Sequence, residues 1–202
     1  MEQRSNEWFE ARLGKVTASR LADVLATIKT GESASRRNYR IELVCERLTQ
    51  KKADGFSNVH TERGVELEPI ALSSYEAQKG IFVESVGFVI HPTIQMSGAS
   101  PDGLVGDDGL IEVKCPTPAN HLDTLLSKKS PAKYYPQMQW QMACTGRKWC
   151  DFVSYCAEFG NTEHALFITR VMRDDVFIAD AEKAVIQFLY EVEAQILQLR
   201  GN

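Results

Sequence analysis

The sequence predicts an α/β layered domain, one central mixed β-sheet flanked by helices. Three observations predict it. Hydrophobic residues recur with a helical period as far as Gly80, then with a strand-like period through residue 115. Helical and strand-like stretches then alternate toward the end of the chain. Residues 174–199 close it with one apolar stripe, Val185, Phe188, Leu189, Val192, Ile196 and Leu199, at helical spacing.

The elements follow in order. Thr17 reads as the N-cap of a first helix, because a short hydroxyl side chain there can accept an orphan backbone N–H. Residues 35–49 place Ile41, Val44 and Leu48 on one helical face, and residues 61–79 form a further helix closed by Gly80. Residues 82–90 read as a strand ended by His91 and Pro92, and residues 94–98 as a second. Pro101, Asp102 and Gly103 make a turn. Residues 109–115 are a third strand, broken by Pro116. Helices at 118–128 and 132–144, strands at 149–157 and 164–172, and the terminal helix complete the reading. A single domain spanning 1–202 is expected, with a helical part over 1–80, a sheet core over 81–172 and a C-terminal helix over 173–200.

Composition bounds the function. The chain has 202 residues, 44% hydrophobic and 25% charged, enough to bury a core without disulfides. Its five cysteines, Cys45, Cys115, Cys144, Cys150 and Cys156, are odd in number and lack zinc-ligand spacing, so they read as buried thiols in a reducing compartment. The N-terminus is polar, and no run approaches the ~18 apolar residues of a membrane span. A cytoplasmic protein with no membrane partner is expected. A net charge of −4 argues against a passive nucleic-acid coat. Basic residues do cluster locally, at Arg36, Arg37 and Arg40, at Lys51 and Lys52, and at Lys128, Lys129 and Lys133, although a solvated surface accounts for each cluster alone.

One pattern points to chemistry. Along the strand at 109–115, Ile111, Val113 and Cys115 share one face and Glu112 and Lys114 the other. Burying such an acid without partners is costly, and a cation would relieve it. A hairpin through Val105 and Gly109 can fold Asp102 back against Glu112. Two carboxylates with the Val113 carbonyl form an oxygen donor set that suits Mg²⁺, one or two ions per site, with Mn²⁺ as a substitute. Divalent ions at such a site neutralise a phosphodiester and activate water, and Lys114 can orient or deprotonate that water. The motif alone is short, and an exposed Glu/Lys pair on a strand is its everyday explanation.

The residues around it carry a resemblance. Pro101, Asp102 and Gly103, followed by Glu112, Val113 and Lys114, resemble the PD-(D/E)XK core of restriction-endonuclease-like nucleases. Four segments together resemble the family of phage lambda exonuclease and the YqaJ-type viral recombinases. Trp8, Arg12, Gly14, Thr17 and Ser19 match its N-terminal signature, and Gly64 and Glu68 match its G-x₃-E helix. Ser100 through Gly103 with Glu112 through Pro116 match its core. Tyr135, Gln137 and Gln139 match its glutamine-bearing helix.

The resemblance implies roles position by position. Asp102, Glu112, Glu68 and the Val113 carbonyl become metal ligands, and Lys114 the water-activating lysine. Glu66 lies about 200° from Glu68 around a helix and points elsewhere. Arg12, Ser19, Ser100 and Gln137 become the grip on a 5′-terminal phosphate, in keeping with the bidentate match of guanidinium to phosphate. Lys29 falls near a basic residue that tracks the duplex, and Thr61, beside Val59 and His60, falls at a strand-separating wedge. The implied activity is a Mg²⁺-dependent 5′→3′ exonuclease on double-stranded DNA. It degrades one strand processively to mononucleotides and leaves 3′ overhangs for a single-strand annealing protein. The implied assembly is a homotrimeric ring, in a bacterial or phage-infected cell. An endonuclease or resolvase on the same fold, and an inactive recombination scaffold, are the competing readings.

Overall fold

The computed structural model describes residues 2–52, 59–160 and 162–201. Helix α1 (Asn6–Arg12) begins where the Ser5 hydroxyl accepts the Trp8 N–H. Strand β1 (Val16–Thr17) leads through a 3₁₀ turn (Ala18–Arg20) into the short α2 (Leu21–Val24). Helix α3 (Ala34–Thr49) is capped by Ser33 and stops at Gln50 in the left-handed conformation. Helix α4 (Val59–Lys79) carries Pro69 within it and ends at Gly80, whose φ of +65° suits glycine.

Two sheets follow. Strands β2 (Val83–Glu84), β3 (Val89–Ile90), β4 (Ser97–Ala99), β5 (Gly103–Val105) and β6 (Gly109–Lys114) precede α5 (Pro118–Ser127). A 3₁₀ turn (Ala132–Tyr134) opens α6 (Tyr135–Thr145), and β7 (Trp149–Tyr155), β8 (Leu166–Met172) and α7 (Asp175–Arg200) complete the chain. The larger sheet has the order β2-β5-β6-β7-β8, parallel between β6 and β7 and antiparallel elsewhere. The smaller has the order β1-β4-β3, with β1 parallel to β4. The expected mixed sheet flanked by helices is present, divided in two.

Several elements differ from the sequence reading. Thr17 stands at the N-cap of the 3₁₀ turn, as expected, but its side chain makes no capping bond; its N–H donates to the Tyr39 hydroxyl, and the residue extends alongside Gly98. The strand expected over 82–90 becomes two, because β2 pairs with β5 and β3 with β4. At 94–98 only the end is strand, since the backbone N–H groups of Thr93 and Ile94 both turn onto His91 Nδ1. Along α3 the buried residues are Tyr39, Leu43, Val44 and Glu46, whereas Ile41 and Leu48 are exposed. In α7 Val185, Phe188, Val192 and Ile196 of the stripe are buried and Leu189 is half-buried, but Leu199 is exposed where the helix outruns the core.

The expected hairpin forms, with Val105 opposite Gly109 and Gly103 opposite Ile111. Gly109 is required there, because a Cβ would stand 2.1 Å from the Trp149 ring. The two faces of β6 then meet different helices. Ile111 and Val113 pack with Ala71 and Tyr75 of α4, while Leu110 packs with Met138 and Met142 of α6. Glu112 shares its face with Leu110 and so looks toward α6. A separate core joins α2, α3, α6 and α7 around Trp140 and Phe188, both fully buried. Among the described residues, no helix is long and apolar enough to cross a membrane.

Candidate active site

The C-terminal end of β6 gathers the acidic residues. The hairpin returns Asp102 to β6, where its Oδ2 accepts the Val113 N–H at 2.6 Å. Glu68 of α4, Asp102, Val113 and Lys114 line one cavity of about 460 Å³. Glu66 is exposed. Glu112 lies behind that cavity, 0% exposed, and three protein donors hold its carboxylate. Gln137 Nε2 donates to Oε1 at 2.7 Å and Gln141 Nε2 to Oε2 at 2.6 Å. The Lys114 ammonium pairs with Oε1 as well. Gln137 therefore sits on the acidic centre, and the four residues expected to grip a phosphate do not form one contiguous set of contacts.

The electrostatics describe surplus negative charge. Burial pushes the Asp102 carboxyl well above its ordinary range, and the neighbouring charges of Glu112 and Glu68 add to the push. Burial alone would lower the Lys114 ammonium, but Glu112 and Asp102 outweigh it and hold the group protonated. The Cys115 thiol is pushed up to about 12, first by burial and then by Glu68, so it remains a thiol.

A second cavity of about 480 Å³ lies against α1 and the 3₁₀ turn that follows β1, lined by Arg12, Lys15, Ser19 and Lys52, by Arg20 in its ion pair with Glu42, and by Glu46 among others. The Arg12 guanidinium lies 4.0 Å over the Trp8 ring. Arg12 Nη1 and Trp8 Nε1 both donate to Ser100 Oγ, at 3.1 and 2.9 Å. With those lone pairs engaged, the Ser100 hydrogen is the donor left for an anion. Burial lowers the Arg12 and Lys15 cations, the latter further through Arg47. An anion would relieve both. Lys29 is exposed in the loop after α2 and is absent from the linings of both cavities. Thr61, with Val59 and His60, lies outside the residues whose side chains are described.

Residues 7–148 match the family model of the YqaJ-like viral recombinase domain. The chain belongs to that family. A search of curated proteins found no significant match. Among solved structures, this YqaJ-like chain is similar to an alkaline exonuclease (LHK-Exo) from Laribacter hongkongensis, with 50% identity over 97% of this chain and 96% of that one, at a TM-score of 0.89. The same exonuclease in complex with dAMP gives 51% identity, the same coverage and a TM-score of 0.91. A phage related exonuclease from Haemophilus somnus 129PT shares the fold at 17% identity, over 92% of this chain and 96% of that one, with a TM-score of 0.75. The core is thus of the restriction-endonuclease-like fold expected from the sequence.

The donor set of the YqaJ-like site suits a hard divalent cation. Three carboxylates, Glu68, Asp102 and Glu112, face two cations, Lys114 and Arg4, and burial leaves Asp102 destabilised as an anion. Among the described residues no three acid, imidazole or thiol groups form a ready-made cage. Arg4 Nη2 holds Glu68 at 2.6 Å and the glutamines hold Glu112, so a cation would be shared among already bonded oxygens. Arg4, Trp8 and Gln141 were not singled out as site residues from sequence. Trp8 lies within the N-terminal signature and Gln141 within the glutamine-bearing helix segment; Arg4 lies outside every segment of the resemblance.

Proposed function

We propose that the chain is a Mg²⁺-dependent exonuclease that digests duplex DNA from a 5′ end, releasing 5′-mononucleotides. The coarser reading, a DNA exonuclease of the YqaJ-like family, rests on the half-identical alkaline exonuclease and its near-complete coverage. The dAMP complex of that relative, a deoxynucleoside monophosphate, supports the mononucleotide product.

One observation carries the 5′-end reading. Ser100 belongs to the Arg12 grip and Asp102 to the acidic centre, and only Pro101 separates them. Two residues of chain span at most about 7 Å, the scale of one nucleotide. A terminal phosphate held by Arg12, Ser100 and Ser19 brings the next phosphodiester to Asp102. Asp102, Glu112, Glu68 and the Val113 carbonyl would hold Mg²⁺, or Mn²⁺ in its place. That ion supplies charge neutralisation and a more acidic water. Lys114, charged beside Glu112, orients the attacking water and faces the charge that develops at phosphorus. Gln137 and Gln141 fix the Glu112 carboxylate. Processive digestion, 3′ overhangs handed to a single-strand annealing protein, and a homotrimeric ring complete the proposal.

The test is digestion in Mg²⁺ of linear duplex bearing 5′-phosphate or 5′-hydroxyl ends, beside covalently closed circles. The phosphorylated ends are expected to be lost first and the circles to remain intact. Cleavage of circles would favour an endonuclease. DNA binding without digestion would favour a scaffold. Lys114→Ala is expected to abolish digestion, and unchanged activity would overturn the assignment. Light scattering on the eluting protein tests the trimer, which a stable monomer would exclude.

A further inference from the structure

The segment before α1 passes the rim of the acidic cavity and is pinned on both sides of Arg4. On one side, Gln3 Nε2 donates to the Val86 carbonyl at 2.9 Å and to the Pro101 carbonyl at 2.7 Å. On the other, Ser5 caps α1, and its hydroxyl also donates to the Glu2 carbonyl at 2.8 Å. Pro101 is the residue between Ser100 and Asp102, so Gln3 ties the segment to the short link between the two halves of the site. Arg4 itself stands in the left-handed region, with φ +69°. That conformation is costly for a residue with a Cβ, and strain of this kind clusters at functional sites. Here the arginine lines the cavity with Glu68, Asp102 and Lys114.

The two cations of this cavity are held differently. Lys114 pairs with Glu112, which is fully buried and fixed by Gln137 and Gln141, and its ammonium lies 5.0 Å over the Tyr134 ring. Arg4 reaches Glu68 through Nη2, at 2.6 Å, and 46% of its side chain is exposed. A guanidinium carries five N–H groups in a planar fork that matches phosphate, and the bond to Glu68 engages one of them. A divalent ion at Glu68 shares an already bonded carboxylate with Arg4, and the two positive groups repel. It also reverses the sign of the site, because three carboxylates against Lys114 and Arg4 carry a formal excess of only one negative charge. A phosphodiester restores the balance. Lys114 is fixed, so Arg4 is the cation able to turn from carboxylate to phosphate.

We propose that Arg4 competes with the divalent ion for Glu68 and, as that carboxylate passes to the metal, becomes a phosphate-binding residue of the acidic centre. The arginine thereby couples metal loading to substrate binding. This rests on the reading of Glu68 and Asp102 as metal ligands, and it adds a DNA contact distinct from the Arg12 grip.

The probes are Mn²⁺ alone and dAMP, titrated calorimetrically into the whole protein without DNA. Arg4→Ala keeps the Cβ, and with it the backbone preference, and removes the guanidinium. Loss of a competing, partly exposed ion pair is expected to tighten Mn²⁺ binding about 2- to 5-fold. In saturating Mn²⁺ the same change is expected to weaken dAMP binding about 10-fold, as for a hydrogen bond to a charged group. The dAMP titrations are made in Arg12→Ala protein, so that the grip does not take the phosphate. Arg4→Lys keeps the charge without the fork, and is expected to restore the ordinary Mn²⁺ affinity and part of the dAMP affinity. Weaker Mn²⁺ binding by Arg4→Ala would make the arginine a positioner of Glu68, and unchanged dAMP binding would remove it from the substrate. Either result would overturn the proposal. Asp102→Asn tests the underlying reading: Mn²⁺ binding that survives it would sink the metal centre and this proposal together. Binding lost there, beside an Arg4→Ala protein that behaves as the unaltered one, would sink this proposal alone.

Discussion

Gln141, fully buried in α6, donates its side-chain amide to Glu112 Oε2 at 2.6 Å, one helical turn beyond the Gln137 amide that holds Oε1. Removing it strips a buried carboxylate oxygen of its donor. Gln141→Ala is expected to lower stability by about 1–3 kcal/mol, read from the denaturant midpoint. It is also expected to raise the Mg²⁺ concentration for half-maximal digestion about 10-fold or more, since residues that orient metal ligands commonly contribute that much. An unchanged Mg²⁺ response would detach Gln141 from the centre.

The Arg12 and Trp8 bonds to Ser100 separate charge from geometry. A hydrogen bond to a charged group contributes about 1.5–3 kcal/mol, so Arg12→Ala is expected to slow digestion of 5′-phosphorylated ends by roughly 10-fold or more. Trp8→Phe keeps an aromatic face for Arg12 and removes only the indole N–H. Its effect is expected to be smaller, about 5-fold, as for one neutral bond. Rates on 5′-hydroxyl ends are the control, and both substitutions should matter less there.

Asp151 of β7 pairs with Ile111, on the sheet face opposite that of Glu112 and Lys114, and is 1% exposed. It accepts the Tyr75 hydroxyl at 2.8 Å and both Nε and Nη2 of Arg170 at 2.8 and 2.9 Å. Asp151→Ala leaves the buried Tyr75 hydroxyl without a partner. A loss of about 1–3 kcal/mol in unfolding free energy is expected for that group. Digestion per folded molecule should be unchanged, which chemical denaturation and activity measured side by side will check.

His91 sets an acid limit on stability. Its ring is buried, stacked on Trp140 at 4.8 Å, and Nδ1 accepts two backbone N–H groups. Burial holds its pKa below the ordinary 6.5, although Glu182 pulls the other way. A depressed folded pKa means the unfolded chain takes the proton first as pH falls. The contribution is therefore present above 6.5 and is lost as pH drops through the folded value. Denaturant midpoints are expected to fall on the acid side of neutrality, and His91→Gln should flatten that part of the profile.

Much of the centre was legible because it is local. Strand alternation fixes Glu112 and Lys114 on one face, and a short hairpin fixes where Asp102 returns. What escaped depends on distant partners. Nothing around Arg4 announces Glu68, 64 positions away, and nothing around Gln141 announces Glu112. The strand over 82–90 carries a fair strand pattern, but pattern cannot show that its two ends pair with different partners, β5 and β4. On α3 the expected face holds for Val44 but not for Ile41 and Leu48, because the Tyr39 hydroxyl reaches the backbone of β1 and Tyr39 and Leu43 turn inward.

The separation between bonded partners also ranks the order in which the site can be assembled. Asp102 and Val113 are 11 positions apart and Gln137 and Glu112 are 25, but Arg12 and Ser100 are 88 apart and Ser97 bonds to Val16 across 81. Closing the longer loops costs more chain entropy and weighs on the folding rate. Asp102, Glu112, Lys114, Gln137 and Gln141 can therefore come together within one contiguous stretch of chain, ahead of the proposed phosphate grip. Under the proposed function, a partly folded molecule would carry the hydrolytic centre before it carried the selectivity for ends.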